Sequence, residues 1–215
     1  MEENMNNILK PEIAFPLEQY SGAAVRNLIN LLYSRGMLIS KATDGNFGAE
    51  EGLVEFLKDD SKVVSAESAV AVVNEYAEAH EGAVRGVAFA DGKVSFTGFP
   101  EEGDPDRIKA FIELAAGMHK QAVTQKRIQA KQTDDPNEKY IFRVWLVRIG
   151  MGGADYKDVR RYLLENLEGH TAFHTPADEE KWKARQKAKK AAAQEQAQES
   201  EPEDAAKETP EDTEE

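Results

Sequence analysis

The spacing of apolar residues changes along this chain from the helical repeat of three and four to the alternation of a β-strand. From Val84 the residues alternate between two faces, and Val94 and Phe96 continue the alternation after Asp91-Gly92. Asp-Gly is typical of a two-residue hairpin turn, because both positions accept a left-handed backbone. Since a lone hairpin is barely stable in water, it must pack against helices. The spacing therefore predicts a mostly helical α+β fold with one β-hairpin.

Helical spacing predicts helices on both sides of this hairpin. Ser21 is placed to cap the first helix and Gly36 to end it, while Asp104-Pro105 begins the longest one. Residues 140–149 are rich in β-branched and aromatic side chains, which leaves helix and strand open, and Gly150 favours the helix. We expect helices over about 22–34, 53–57, 66–76, 105–131, 140–149 and 156–167.

Composition divides the chain into four parts. Residues 1–16 are mostly polar and contain two prolines, so they are interpreted as an N-terminal arm. Residues 17–175 carry the apolar patterns and form the single predicted domain. Residues 176–199 are a charged extension, helical or not, and residues 200–215 are almost entirely acidic or small. Such a tail buries too little apolar surface to offset chain entropy and is predicted to be disordered.

The charge and the residue types exclude several classes of protein. The 215 residues carry a formal net charge of −13 and contain no cysteine, which excludes a disulfide scaffold, a thiol enzyme and a cysteine-built zinc site. No apolar run has the length of a signal peptide or of a membrane-spanning helix. A cytoplasmic protein that makes no contact with a membrane is therefore expected.

The charges are segregated along the chain. Residues 1–106 carry a net −11, residues 107–190 a net +7 and residues 191–215 a net −9. Segregation of this size indicates a charged partner. The middle block is the candidate binding surface, and two interpretations stay open: a phosphate-binding surface, or solvated cations partly paired with N-terminal acids. Its candidate residues are Lys120, Lys126, Arg127, Lys131, Arg143, Arg148, Lys157, Arg160 and Arg161.

Catalytic and cofactor motifs are weak or missing from the sequence. His170 and His174 stand four apart near Glu168, which would suit a metal site on a helix, but Gly169 and Pro176 argue against a helix there. The glycines at 150–153 lack the spacing of a phosphate-binding loop, and no serine has a nucleophile-elbow setting. We therefore expect no cofactor, no metal and no enzymatic activity, with the two histidines as weak metal candidates.

Five segments of the sequence carry a resemblance to known proteins: Arg26–Gly36, Ser40–Thr43, Thr97–Pro100, Gln125–Lys131 and Asn166–Phe173. Together they resemble a family of accessory proteins carried on conjugative and phage-like elements of gut Firmicutes, often labelled virulence-related. The resemblance covers residues 10–175 and implies no catalytic residues. It implies the context of a mobile genetic element, where small acidic proteins include anti-CRISPR inhibitors of Cas9-type nucleases.

Three functions follow as hypotheses. The first is a non-enzymatic binding protein that modulates or inhibits a nucleic-acid-handling machine, its acidic surface mimicking nucleic acid against a protein partner such as a nuclease. The second is a direct nucleic-acid-binding accessory factor that uses the basic helices, with the acidic tail as an internal competitor. The third is a metal-dependent enzyme that uses His170 and His174.

Overall fold

A computed structural model of the chain describes residues 8–132, 134–175 and 177–187. The described residues up to Thr171 form one compact unit, and the described residues from Ala172 form another. The helices are α1 Gly22–Thr43, α2 Glu51–Phe56, α3 Ala66–Ala79, α4 Pro105–Thr124, α5 Glu138–Arg148 and α6 Lys157–Leu164. The strands are β1 Ile13–Pro16, β2 Gly48–Ala49, β3 Val84–Arg85, β4 Val87–Ala90 and β5 Lys93–Phe96. The predicted mostly helical α+β class is confirmed, and the predicted tail over 200–215 lies outside the described residues.

Helix α1 forms the centre of the first unit and contacts α2, α3, α4, α6 and β2. It begins at the Ser21 cap, whose Oγ accepts from the Ala24 N–H at 3.1 Å. Most of its apolar side chains are buried, among them Val25, Leu28, Ile29, Leu32 and Ile39, and this packing fixes the helix in place. The predicted end near residue 34 is wrong. Gly36 lies inside the helix instead of ending it. A Cβ at this position would lie 2.7 Å from the Gly48 Cα, so the glycine is needed for the close approach of β2 to α1.

The predicted hairpin is confirmed as β4 and β5, and its turn residues Asp91 and Gly92 have φ of 51° and 68°. A strand that the sequence analysis did not predict, β1, pairs antiparallel with β5 and places Ile13 opposite Phe96. The sheet order is therefore β1-β5-β4. Strand β1 is too short, between Pro11 and Pro16, for its alternation to be read from the sequence. A second, two-stranded sheet joins β2 and β3.

The second half of the unit consists of α4, α5 and α6. The Asp104 side chain caps α4 by accepting from the Asp106 N–H at 2.9 Å, and α4 packs against both α1 and α6. The predicted extension of α4 to residue 131 is wrong, since the helix ends at Thr124. The preference for a helix over residues 140–149 is confirmed by α5. Among the described residues, no helix is long and apolar enough to span a membrane.

The second unit contains a helical stretch over residues 177–187. Thr175 and Asp178 cap its start, with the Thr175 Oγ1 donating to the Asp178 Oδ2 at 2.8 Å. The ring centroids of Phe173 and Trp182 lie 5.5 Å apart. These contacts are local, and they give the described part of the charged extension a helix with a small apolar contact.

Candidate functional site

The chain between α4 and α5 runs without regular secondary structure over the described residues 125–132, here called the α4–α5 connection. Helix α4 ends because the backbone becomes extended at Gln125, with a ψ of 134°. The Gln125 N–H still donates to the Gln121 carbonyl at 3.1 Å, as the last bond of the helix. Beyond that point the peptide groups need other partners, since unpaired buried backbone groups are costly.

Two buried asparagines of α1 supply those partners. The Asn27 Nδ2 donates to the carbonyls of Ala122 at 3.2 Å and Gln125 at 2.7 Å. Its Oδ1 accepts from the Ile128 N–H at 2.9 Å. The Asn30 Nδ2 donates to the Ile128 carbonyl at 3.0 Å. Because both peptide groups of Ile128 are bonded and its side chain is buried, the connection has a fixed backbone at this residue.

Basic side chains flank this fixed point. Lys126, Arg127 and Lys131 are exposed, and none of them makes an ion pair within the part of the chain that the structure describes. An unpaired cation keeps its full charge available to an external anion. The connection therefore presents three predicted site residues as a row of exposed cations on both sides of Ile128, whose backbone is fixed.

A first cavity, of about 640 Å³, lies on one side of the connection. Two of its cations are already neutralised, since Arg26 forms an ion pair of 2.6 Å with Asp60 and Lys58 forms one with Glu55. The Asn30 Oδ1 is buried here without a hydrogen-bond partner in the described structure. The charged residues that line this cavity are Arg26, Lys58, Asp60, Arg127 and Lys131.

A second cavity, of about 420 Å³, lies between the connection, α1 and α5. Burial lowers the pKa of the Arg35 guanidinium, and the positive charge of Arg148 lowers it further. Both guanidinium-bearing residues line this cavity, so two cations lie beside the same small space. The described residues that line it include four basic side chains and no acidic one; the basic residues are Arg35, Arg127, Lys131 and Arg148.

The floor of the second cavity is polar and ordered. The Trp145 Nε1 donates to the Gln121 Oε1 at 3.0 Å, which orients that amide. The Gln121 Nε2 then donates to the Gln125 Oε1 at 3.4 Å. The indole of Trp145 is 4% exposed, so it supports the cavity wall from the core side. An anion in this cavity would meet guanidinium and amide donors, which suit phosphate oxygens.

The remaining predicted basic residues are distributed differently. Lys120, Arg143 and Lys157 are exposed and form no ion pair in the described ranges, but they do not line either cavity. Arg160 donates to the carbonyls of Met151 at 2.6 Å and Gly153 at 2.9 Å, so it holds the loop before α6. Arg161 pairs with Asp158 at 3.5 Å. The structure thus brings Arg127, Lys131 and Arg148 together and leaves these others apart.

The two predicted metal candidates stand in different units. The His170 N–H donates to the Asn137 Oδ1 at 3.0 Å, within the first unit, and His174 belongs to the second. Neither lies on a helix. No group of three histidine or acidic side chains suited to a metal ion occurs among residues 8–132, 134–175 and 177–187. The candidate site is therefore taken as the cationic surface alone.

Sequence reasoning missed three cations of this surface: Arg26, Arg35 and Lys58. They lie far from the basic block in sequence and reach it only because α1 and the segment after α2 pack beside the connection. One signal was present, namely Asn27 and Asn30 at helical spacing within an otherwise apolar face. Buried amides need partners, so such a pair marks a segment that will be held against the helix.

Comparison with known protein families, with curated proteins and with solved structures gives no match for this chain. The function is therefore argued from the geometry of the cationic surface.

Proposed function

We propose that this protein is a nucleic-acid-binding accessory factor that contacts phosphate groups through the cationic surface around the α4–α5 connection. The observation that carries the proposal concerns Arg127 and Lys131. Both line the two cavities and are without an ion pair in the described structure, and Asn27 and Asn30 hold the backbone at Ile128, which directly follows Arg127. Because this part of the backbone is already ordered, less conformational freedom is lost there on binding, which favours association.

Phosphate contacts explain how a protein of net charge −13 would bind a polyanion. Neutralising phosphates with Lys and Arg releases condensed counterions, so affinity depends on the local cations and falls steeply with salt. Acidic surfaces elsewhere weaken the long-range attraction but are screened beyond about 8 Å at physiological ionic strength. The expected binding is therefore local, salt-sensitive and without base readout.

Fluorescence anisotropy with a labelled single strand of about 16 nucleotides, and with the matching duplex, tests the proposal. The Arg127→Gln/Lys131→Gln variant is compared with Lys93→Gln/Lys109→Gln, which removes the same charge from exposed lysines that line neither cavity. We expect the site variant to lose roughly tenfold in affinity at about 50 mM salt. For the single strand, the slope of log affinity against log salt concentration should become shallower by about 1.4, since two phosphate contacts are lost. The control should lose much less.

Two results would contradict the proposal. Equal losses in the site variant and in the charge-matched control would show that only net charge matters. Absence of binding by the unaltered chain at low salt, to both probes, would remove direct nucleic-acid binding altogether.

A second candidate function rests on α3. Its exposed side carries Glu67, Glu75 and Glu78, and no Lys or Arg occurs within Ala66–Ala79. A basic nucleic-acid groove on a nuclease would attract an acidic side of this kind, which is the contact that nucleic-acid mimicry by an anti-CRISPR-like inhibitor would use. Inhibition of DNA cleavage by a Cas9-type nuclease, measured with Glu67→Gln/Glu75→Gln/Glu78→Gln and with the Arg127→Gln/Lys131→Gln variant, separates the two functions. Loss of inhibition only in the α3 variant would support this second candidate.

A further inference from the structure

The second cavity differs from the first in its charge balance. In the first cavity Asp60 pairs with Arg26, whereas in the second the described lining brings four cations together with no carboxylate. Three of those cations, Arg127, Lys131 and Arg148, make no ion pair within the described residues. An internal phosphodiester carries one negative charge, while a phosphate monoester carries about −1.5 to −2 at neutral pH. A group of higher charge therefore matches this cavity better.

The shape of the cavity favours the same ligand. Its volume of about 420 Å³ lies within the range of small-ligand pockets, roughly 300–1,000 Å³. An internal phosphate of a strand is tethered on both sides and can enter a concave space only if the strand bends sharply. A terminal phosphate is tethered on one side and can enter end-on. Guanidinium groups also suit it, because they can bond two phosphate oxygens at once.

We propose that the cavity between α1, α5 and the α4–α5 connection binds a phosphate monoester, namely the terminal phosphate of a nucleic-acid strand. Arg148 at the end of α5 and Arg35 on α1 contact the phosphate from one side, and Arg127 and Lys131 contact it from the connection. The Gln121 amide, oriented by Trp145, lies in the wall and offers a further polar group. The inference rests on the proposed function, to which it adds recognition of a strand end. A mononucleotide carries the same chemistry, and the experiment distinguishes the two sources.

The test compares two labelled single strands of identical sequence, one with a 5′-phosphate and one with a 5′-hydroxyl, together with adenosine monophosphate and inorganic phosphate as small probes. The full chain, Arg148→Gln and Arg143→Gln are used. Arg143 is the matched control, because it is an exposed arginine of the same helix that does not line the cavity. Both positions are exposed, and circular dichroism melting curves verify that the variants fold.

A second readout follows the cavity wall directly. Trp145 and Trp182 are the two tryptophans of the chain, so in a Trp182→Phe background the intrinsic fluorescence reports Trp145. Phosphate bound beside the Gln121 amide should change that fluorescence, since the indole N–H is bonded to this amide. Arg148→Gln in the same background should remove the change.

We expect the 5′-phosphorylated strand to bind about tenfold more tightly than the 5′-hydroxyl strand, as one additional charge-assisted contact would give. Arg148→Gln should abolish this preference and Arg143→Gln should keep it. Equal affinities of the two strands would overturn the inference while leaving the proposed function intact. Binding of adenosine monophosphate that depends on Arg148, without binding of either strand, would assign the cavity to a mononucleotide and overturn both the recognition of a strand end and the proposed function. No response to any probe would overturn both.

Discussion

Helix α3 and the α4–α5 connection both lie against α1, but different interactions hold them there. Helix α3 buries Ala66, Ala69 and Val73, so it is held mainly by apolar packing. The connection buries one large apolar side chain, Ile128, and is otherwise held by the amides of Asn27 and Asn30. Apolar packing is non-directional, whereas hydrogen bonds specify which peptide group lies at which point.

The outward sides of these two regions carry opposite charge. Helix α3 exposes Glu67, Glu75 and Glu78, and the connection exposes Lys126 and Arg127. On α3 the charges follow from a solvated helix face and need no fixed arrangement. On the connection the peptide groups of Ile128 are fixed by α1, so the neighbouring cations start from defined backbone positions. The two regions therefore differ in how far the backbone beneath their surface charges is fixed by hydrogen bonds to α1.

The largest expected effect comes from Asn27→Ala. It removes three hydrogen bonds and leaves the carbonyls of Ala122 and Gln125 and the N–H of Ile128 without that partner. Because unsatisfied buried groups are costly, the free energy of unfolding should fall by about 3 kcal/mol in urea denaturation. Asn74→Ala, which removes one hydrogen bond from α3 to the Phe89 carbonyl, is the control and should lose about 1 kcal/mol. Equal losses in the two variants would contradict the view that hydrogen bonds hold the connection more than they hold α3.

The apolar attachment of α3 is tested by Val73→Ala. Val73 is 1% exposed, and truncating it removes buried methyl groups and leaves a cavity. We expect a loss of about 2 kcal/mol in the free energy of unfolding, with nucleic-acid affinity unchanged. Val64→Ala, at a position that is 79% exposed, should change stability by less than about 0.5 kcal/mol. A change of affinity in the Val73 variant would link α3 to the cationic surface.

The start of α3 offers a smaller test. The Ser65 Oγ accepts from the Ser68 N–H at 3.1 Å, and the Ser65 N–H donates to the Ser68 Oγ at 2.9 Å, which together form a capping box. In urea denaturation, Ser65→Ala should lower the free energy of unfolding by about 1 kcal/mol, and Ser65→Asp should restore most of this loss. Failure of the aspartate to restore stability would mean that packing around Ser65, rather than capping, is the cause.

The smallest expected effect is a dependence on pH that belongs to neither region, since neither contains a histidine. In α4 the His119 ring stacks on Phe15 with centroids 4.1 Å apart, and burial lowers its pKa below the ordinary 6.5. The unfolded chain therefore binds the proton more readily, so stability should fall as pH drops through about 6.5. Urea denaturation of His119→Gln at several pH values should give a flatter profile than the unaltered chain. An identical profile would exclude this cause.

Sequence patterns predicted those elements of the fold that depend on neighbouring residues in the chain. The Asp91-Gly92 turn and helix α5 followed from backbone preferences and side-chain spacing. The two wrong helix ends have a common cause in long-range contacts. Gly36 is needed for the approach of Gly48 to α1, and the end of α4 at Thr124 depends on Asn27, about a hundred residues away in sequence.

The candidate site was predicted in part for the same reason. Charge counting identified Arg127, Lys131 and Arg148, because they lie in one basic block. It could not identify Arg35 or Arg26, because only the packing of α1 beside the connection brings them to the cavities. Nor could it show that Arg160 is engaged with backbone carbonyls, since those contacts depend on the loop before α6.

The double hold on Ile128 also sets how the connection can open. Its N–H is bonded to a buried side chain of α1, while the exposed residues on either side have no comparable hold. In deuterium exchange this amide should stay protected as long as α1 is intact, as a single slow proton between fast ones. The α4–α5 connection would then detach at Ile128 only when α1 itself unfolds, so this attachment would persist as long as the folded core.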